Sequence, residues 1–151
     1  MSVYDCHVRD VMTSSPITVE PDTQLLDAAL VLRSNSIRHL PVVVGSKLVG
    51  LISDRDIQRS APSRLIPITE EVYNAVFERN TVNRIMTREP VSISPDAVLA
   101  DAIVLMQQSR CGSLPVVEHD ELVGILTRGD LLDALHRILT GKSVGRFVER
   151  L

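Results

Sequence analysis

Shifting the sequence by 74 residues lays Val8–Ser60 over Val82–Ala134 without a gap, and 17 of the 53 aligned positions are then identical. The matches keep their order: Met12-Thr13 on Met86-Thr87, Pro21-Asp22 on Pro95-Asp96, Asp27-Ala28 on Asp101-Ala102, Leu40–Val43 on Leu114–Val117, Leu48–Gly50 on Leu122–Gly124, and Asp56 on Asp130. An ungapped register of this length means one supersecondary unit written twice, so the chain must fold into two like structures. The organisation that follows is a first repeat over residues 8–60, a linker over 61–81, a second repeat over 82–135 and a tail over 136–151.

Within each copy the pattern reads β-α-β-β-α. A short strand, Ile17–Val19 or Val91–Ile93, runs into Pro-Asp, and the aspartate is expected to cap a helix near Thr23–Ser34 or Ala97–Ser109. Leu25, Ala28 and Leu32 recur at helical spacing, as do Leu99, Ala102 and Met106. Strands at Leu40–Val44 and Leu48–Ile52, and again at Leu114–Val117 and Leu122–Leu126, flank tight turns at Gly45-Ser46 and His119-Asp120. The linker carries Pro62 and Pro67, then a short helix over Glu70–Arg79. The fold class expected is α/β (α+β), two β-α-β-β-α repeats packed as a pseudo-twofold pair so that each small sheet is covered.

Composition narrows the function. There is no Trp and only two Phe and two Tyr, so the core must be aliphatic. A net charge of -3 gives no field for non-specific nucleic-acid binding. Cys6 and Cys111 fit no zinc spacing and no disulfide framework, which points to a reducing compartment. No apolar run approaches the ~20 residues that cross a bilayer, and the polar start is not a signal peptide. A cytoplasmic protein without a membrane span is expected.

Each last strand ends in a similar phrase, Ser53-Asp54-Arg55-Asp56 and Thr127-Arg128-Gly129-Asp130. A hydroxyl followed three residues later by an acid is a capping box, which starts a helix and need do no more. Three features favour a ligand: the phrase is doubled, Arg55 and Arg128 sit in a first helical turn where the dipole disfavours a cation by about 0.3–1 kcal/mol, and Gly129 costs a helix about 1 kcal/mol relative to Ala. Free N–H groups, a hydroxyl and an arginine suit a phosphate, and an aspartate suits a vicinal diol. Phosphate plus diol describes a ribonucleotide. Capping and clamping both remain open at this point.

The doubled "HLPVV…KLVGLISDRD" and "SLPVV…ELVGILTRGD" closely resemble the paired cystathionine-β-synthase (CBS) domain, or Bateman module, over about Val8–Leu135. Ile37–Val43 and Ser60–Ser63 look most like the CBS pair of acetoin-utilisation accessory proteins, which often add a C-terminal ACT domain for which this tail is too short. The resemblance implies composite half-sites. One joins Thr127, Arg128 and Asp130 to Thr18, Val19, Ile37, Arg38, His39 and Pro41. The other joins Ser53, Arg55 and Asp56 to Ser92, Ile93, Cys111, Gly112, Ser113 and Pro115. With Arg38, His39 and Arg128 on its side, the Asp130 site is expected to hold phosphorylated adenosine compounds better than the Asp56 site. The resemblance further implies a homodimer and a stand-alone regulatory module for AMP, ADP, ATP or S-adenosylmethionine, acting on another protein, with no cofactor, metal or catalytic residue. The alternative is a ligand-free dimerisation or adaptor domain in which the boxes merely cap.

Other residues carry less. His39 lacks a nucleophile partner pattern. Asp27 and Asp101 do not pair in the repeat register, Arg146 and Arg150 make a mildly basic end, and packing suffices for Met12 and Met86.

Overall fold

Two like units, each a three-stranded sheet with helices, make up the computed structural model, which describes residues 5–62 and 67–144. Ser63, Arg146 and Arg150, named above, lie outside those residues. The elements in chain order are α1 (Val8–Val11), β1 (Thr13–Ser14), α2 (Leu25–Ser34), β2 (His39–Val44), β3 (Lys47–Ser53), α3 (Asp54–Ser60), α4 (Glu70–Arg79), α5 (Val82–Ile85), β4 (Thr87–Arg88), α6 (Leu99–Ser109), β5 (Ser113–Glu118), β6 (Glu121–Thr127) and α7 (Arg128–Leu139).

The hairpins form where the apolar pattern puts them. β2 and β3 pair antiparallel across Gly45-Ser46, and β5 and β6 across His119-Asp120. His119 and Asp120 both take positive φ, the requirement of a type I′ turn. Each hairpin has one register shift, between Val42 and Val43 and between Val116 and Val117. The irregularity is therefore part of the repeated design. Linker helix α4 runs over the residues expected, with the Thr69 hydroxyl accepting from the Val72 N–H at 3.3 Å.

Two expectations are corrected. Ile17–Val19 and Val91–Ile93 form no strand; each is reduced to one parallel bridge, Val19 to Val42 and Ile93 to Val116. The third strand of each sheet comes from elsewhere: β1 pairs with β6, and β4 with β3. Asp22 and Asp96 are not helix caps either, since α2 and α6 start later, after Gln24 and Val98, with no side-chain cap. Backbone replaces it: the Leu25 N–H donates to the Asn80 carbonyl at 2.9 Å, and the Leu99 N–H to the Cys6 carbonyl at 2.8 Å. A main-chain acceptor from another segment leaves the aspartate nothing to do at the helix end.

Those acceptors reveal an exchange. One compact unit is Ile17–Pro90; the other is Met1–Pro16 together with Val91–Leu151. The start of each sequence repeat thus serves the other repeat's sheet. Val82, fully buried, completes the core of Leu25, Leu40, Val42 and Ile52. Val8, equally buried, completes that of Ala102, Leu114, Val116 and Leu126. Met86 lies against Gly50 and Met12 against Gly124, where a Cβ at either glycine would collide with the methionine sulfur. Packing does account for both methionines, and for the glycine each one needs.

Candidate ligand-binding ends of the two units

At the open end of the Ile17–Pro90 unit three stretches converge. The Val19 N–H donates to the Pro41 carbonyl (3.1 Å) and the Val43 N–H to the Val19 carbonyl (2.9 Å), which sets the Thr18-Val19 stretch beside β2. His39 lies across from Ser53 in the hairpin register, and the Asp54 N–H donates to the Arg38 carbonyl at 3.0 Å. The mouth of the hairpin is thus tied to the start of α3. There the capping box is complete: the Asp56 N–H donates to Ser53 Oγ (3.1 Å) and the Ser53 N–H to Asp56 Oδ2 (2.9 Å).

The other unit repeats the frame. The Ile93 N–H donates to the Pro115 carbonyl (3.0 Å), the Val117 N–H to the Ile93 carbonyl (2.9 Å), and the Arg128 N–H to the Gly112 carbonyl (3.3 Å). Ser113 lies across from Thr127. Its Oγ is buried without a hydrogen-bond partner, which buried hydroxyls seldom tolerate. At the start of α7 the Thr127 N–H donates to Asp130 Oδ2 (2.9 Å), the Thr127 hydroxyl to the same oxygen (3.1 Å), and the Asp130 N–H to Thr127 Oγ1 (3.2 Å). A further donor comes from the exchanged N-terminal segment, the Thr13 hydroxyl, on Asp130 Oδ1 at 3.2 Å.

Both phrases are therefore capping boxes, and capping does not consume them. Arg55 and Arg128 start their helices with exposed side chains, as Arg38 does at its hairpin mouth. A Cβ at Gly129 would touch nothing closer than Thr127 Oγ1 at 3.5 Å, so crowding within the unit does not demand glycine there. Burial raises the Cys111 thiol above its ordinary value, against the opposing pull of backbone hydrogen bonds at Cys111 and Ser113 and, last, of Arg128. That keeps it a neutral thiol rather than a nucleophile. Cys6 is likewise raised, by burial and then by the charge of Asp10, and both cysteines are free.

The structure gathers Thr18, Val19, Ile37, Arg38, His39, Pro41, Ser53, Arg55 and Asp56 in one unit, and Ser92, Ile93, Cys111, Gly112, Ser113, Pro115, Thr127, Arg128 and Asp130 in the other. Thr13 was not singled out by the sequence pattern, although the doubled Met-Thr pair was the available signal. No group of three or more His, Cys, Asp or Glu suited to a metal occurs among the described residues, and no helix among them is long and apolar enough to cross a membrane.

Comparison with known proteins gives the same frame. The CBS domain family model matches twice, over residues 8–63 and 82–137. A structure of AcuB, an acetoin utilization protein of Vibrio cholerae, superimposes with a TM-score of 0.75 at 32% identity, covering 89% of this chain and 93% of that one. CBSX2 of Arabidopsis thaliana, solved in complex with AMP, gives 0.72 at 30% identity, covering 88% of this chain and 98% of that one. The CBS domain pair of protein MJ0100, solved with 5-methylthioadenosine and S-adenosyl-L-methionine, gives 0.70 at 26% identity, covering 86% and 99%.

Proposed function

The chain belongs to the CBS domain family, and from that premise we propose that it is a regulatory module for adenosine-containing ligands such as AMP, ADP, ATP or S-adenosylmethionine. The observation that carries this reading is the doubled helix start: a hydroxyl, an exposed arginine and an aspartate, at the end of a Leu-Pro-Val-Val hairpin in both units. The AMP and S-adenosyl-L-methionine held by two structural neighbours support it.

In this reading the ligand sites are composite. Asp130 and Asp56 take the ribose hydroxyls, and the Thr127-Arg128 and Ser53-Arg55 ends take the phosphate or its equivalent. Thr18, Val19, Ile37 and Pro41 wall the base of one ligand, with Arg38 and His39 adding polar contacts. Ser92, Ile93, Cys111 and Pro115 wall the other, with Gly112 and Ser113 at its mouth. Ligand acts on a partner protein only through its differential affinity for two arrangements of the module.

α7 supports a homodimer. Leu132, Leu135 and Leu139 are exposed at i, i+3 and i+7, so they share one face of a 12-residue helix. One observation favours the adaptor alternative: the two capping boxes satisfy their own hydroxyls and carboxylates without a ligand.

Thermal unfolding of the wild type, Asp130→Ala and Asp56→Ala against AMP, ADP, ATP, S-adenosylmethionine and a guanosine control decides between them. A ligand at about 100 times its Kd stabilises by about 2.7 kcal/mol, a shift of several degrees. An adenosine-specific shift that either alanine variant reduces supports the sensor. No shift with any ligand leaves the adaptor.

A further inference from the structure

Resting on the reading that Asp130 receives a ribose diol, we propose that Thr13 is a latch on that carboxylate, so that ligand binding at this end competes with docking of the N-terminal strand. Asp130 is only 7% exposed, and both of its oxygens are engaged: Oδ2 by the Thr127 N–H and hydroxyl, Oδ1 by the Thr13 hydroxyl. A vicinal diol that spans a carboxylate needs both oxygens as acceptors. Oδ2 already accepts two bonds and Oδ1 keeps a second lone pair, but with the residue 7% exposed the room for a ligand hydroxyl at Oδ1 is the room that Thr13 fills.

The displaced group belongs to a short strand. β1 is two residues long and meets β6 through the pairs Thr13–Ile125 and Ser14–Gly124, with one further bond from the Ser15 N–H to the Val123 carbonyl at 3.3 Å. A hydrogen bond to a carboxylate is stronger than one between neutral groups, so the Thr13 bond adds to what Met12, packed on Gly124, and the buried Val8 and Val11 already give this segment. Ligand and strand therefore oppose each other by the same factor in both directions.

The equivalent place in the other unit has no latch. Thr87 occupies the position matching Thr13 and is exposed; it makes no hydrogen bond to Asp56, whose carboxylate is partly exposed. Only the Asp130 end links ligand to the exchanged segment.

The test titrates AMP into the full chain by calorimetry, with Asp56→Asn as the background that isolates the Asp130 end. Added to it, Thr13→Val should tighten AMP roughly 3- to 10-fold, the worth of one hydrogen bond to a charged acceptor, while Thr13→Ser, which keeps the hydroxyl, stays within about twofold. Saturating AMP should also speed amide exchange at Ser15 in the unmutated protein, a readout that needs no variant at position 13. The latch is overturned if Thr13→Val leaves AMP binding equal or weaker, or if Ser15 protection does not change, while Asp130→Asn still weakens binding. If Asp130→Asn binds AMP as tightly as the background, or the background takes up none, the assignment of Asp130 as a ligand residue fails first and the latch falls with it.

Discussion

The Ile17–Pro90 unit and the unit built from Met1–Pro16 and Val91–Leu151 share a hairpin with the same register shift, a short borrowed strand and a capping box. They differ at the ends of those elements. Where one hairpin mouth sets His39 opposite Ser53, the other sets a buried Ser113 opposite Thr127. Among the described residues Asp56 answers to its own box, whereas Asp130 also answers to Thr13. α3 has 7 residues and α7 has 12, with an apolar face left exposed. Closely similar interiors, with Leu32 matched by Met106 and Ile52 by Leu126, hold the two frames alike, and the polar chemistry differs at the ends.

Equivalence of the interiors is the first thing to break. Leu40 and Leu114 are fully buried at matching positions, so Leu40→Ala and Leu114→Ala should each cost about 2–5 kcal/mol in denaturant unfolding. Losses differing by much more than about 1 kcal/mol would show that the two cores are not packed alike. A finer probe lies at the methionine contacts. At Gly50 the three atoms nearest a new Cβ all belong to the Met86 side chain, whereas at Gly124 they include the Thr13 carbonyl at 3.0 Å beside Met12. Gly124→Ala should therefore cost about 1–3 kcal/mol and Gly50→Ala less, because a carbonyl paired within the sheet gives way less readily than the end of a methionine side chain.

Smaller effects sharpen the difference between the ends. Removing a capping contact costs about 0.5–2 kcal/mol, and Asp130→Ala should lie above Asp56→Ala because it also orphans the Thr13 hydroxyl. Equal losses would mean that Thr13 adds nothing to stability. The smallest effect concerns the thiols, both in or beside the unit that holds Asp130. Burial raises Cys6 and Cys111 above 9.0, so the unfolded chain releases these protons first. Their contribution to stability is present in full below the unfolded value and is lost as pH rises through the folded one. Iodoacetamide labelling near neutral pH should be slower for the native protein than for the unfolded chain, and unfolding midpoints should fall on the alkaline side.

By itself the sequence determined the duplication, both hairpins and their turns, the linker helix and the two helix starts. Each of these rests on neighbours within a few residues: apolar alternation, a two-residue turn, or a hydroxyl three positions before an acid. It did not disclose which half of the chain each repeat's first residues would serve. Val8 and Val82 look alike in any local window, and only the tertiary structure decided that each completes the other repeat's core. The same holds for the caps of α2 and α6, drawn from the Asn80 and Cys6 carbonyls rather than from Asp22 and Asp96, because a backbone acceptor has no residue type to read. It holds also for Thr13. A hydrogen bond across 117 residues of sequence leaves no periodicity, and its existence depends on where the fold brings two chain segments together.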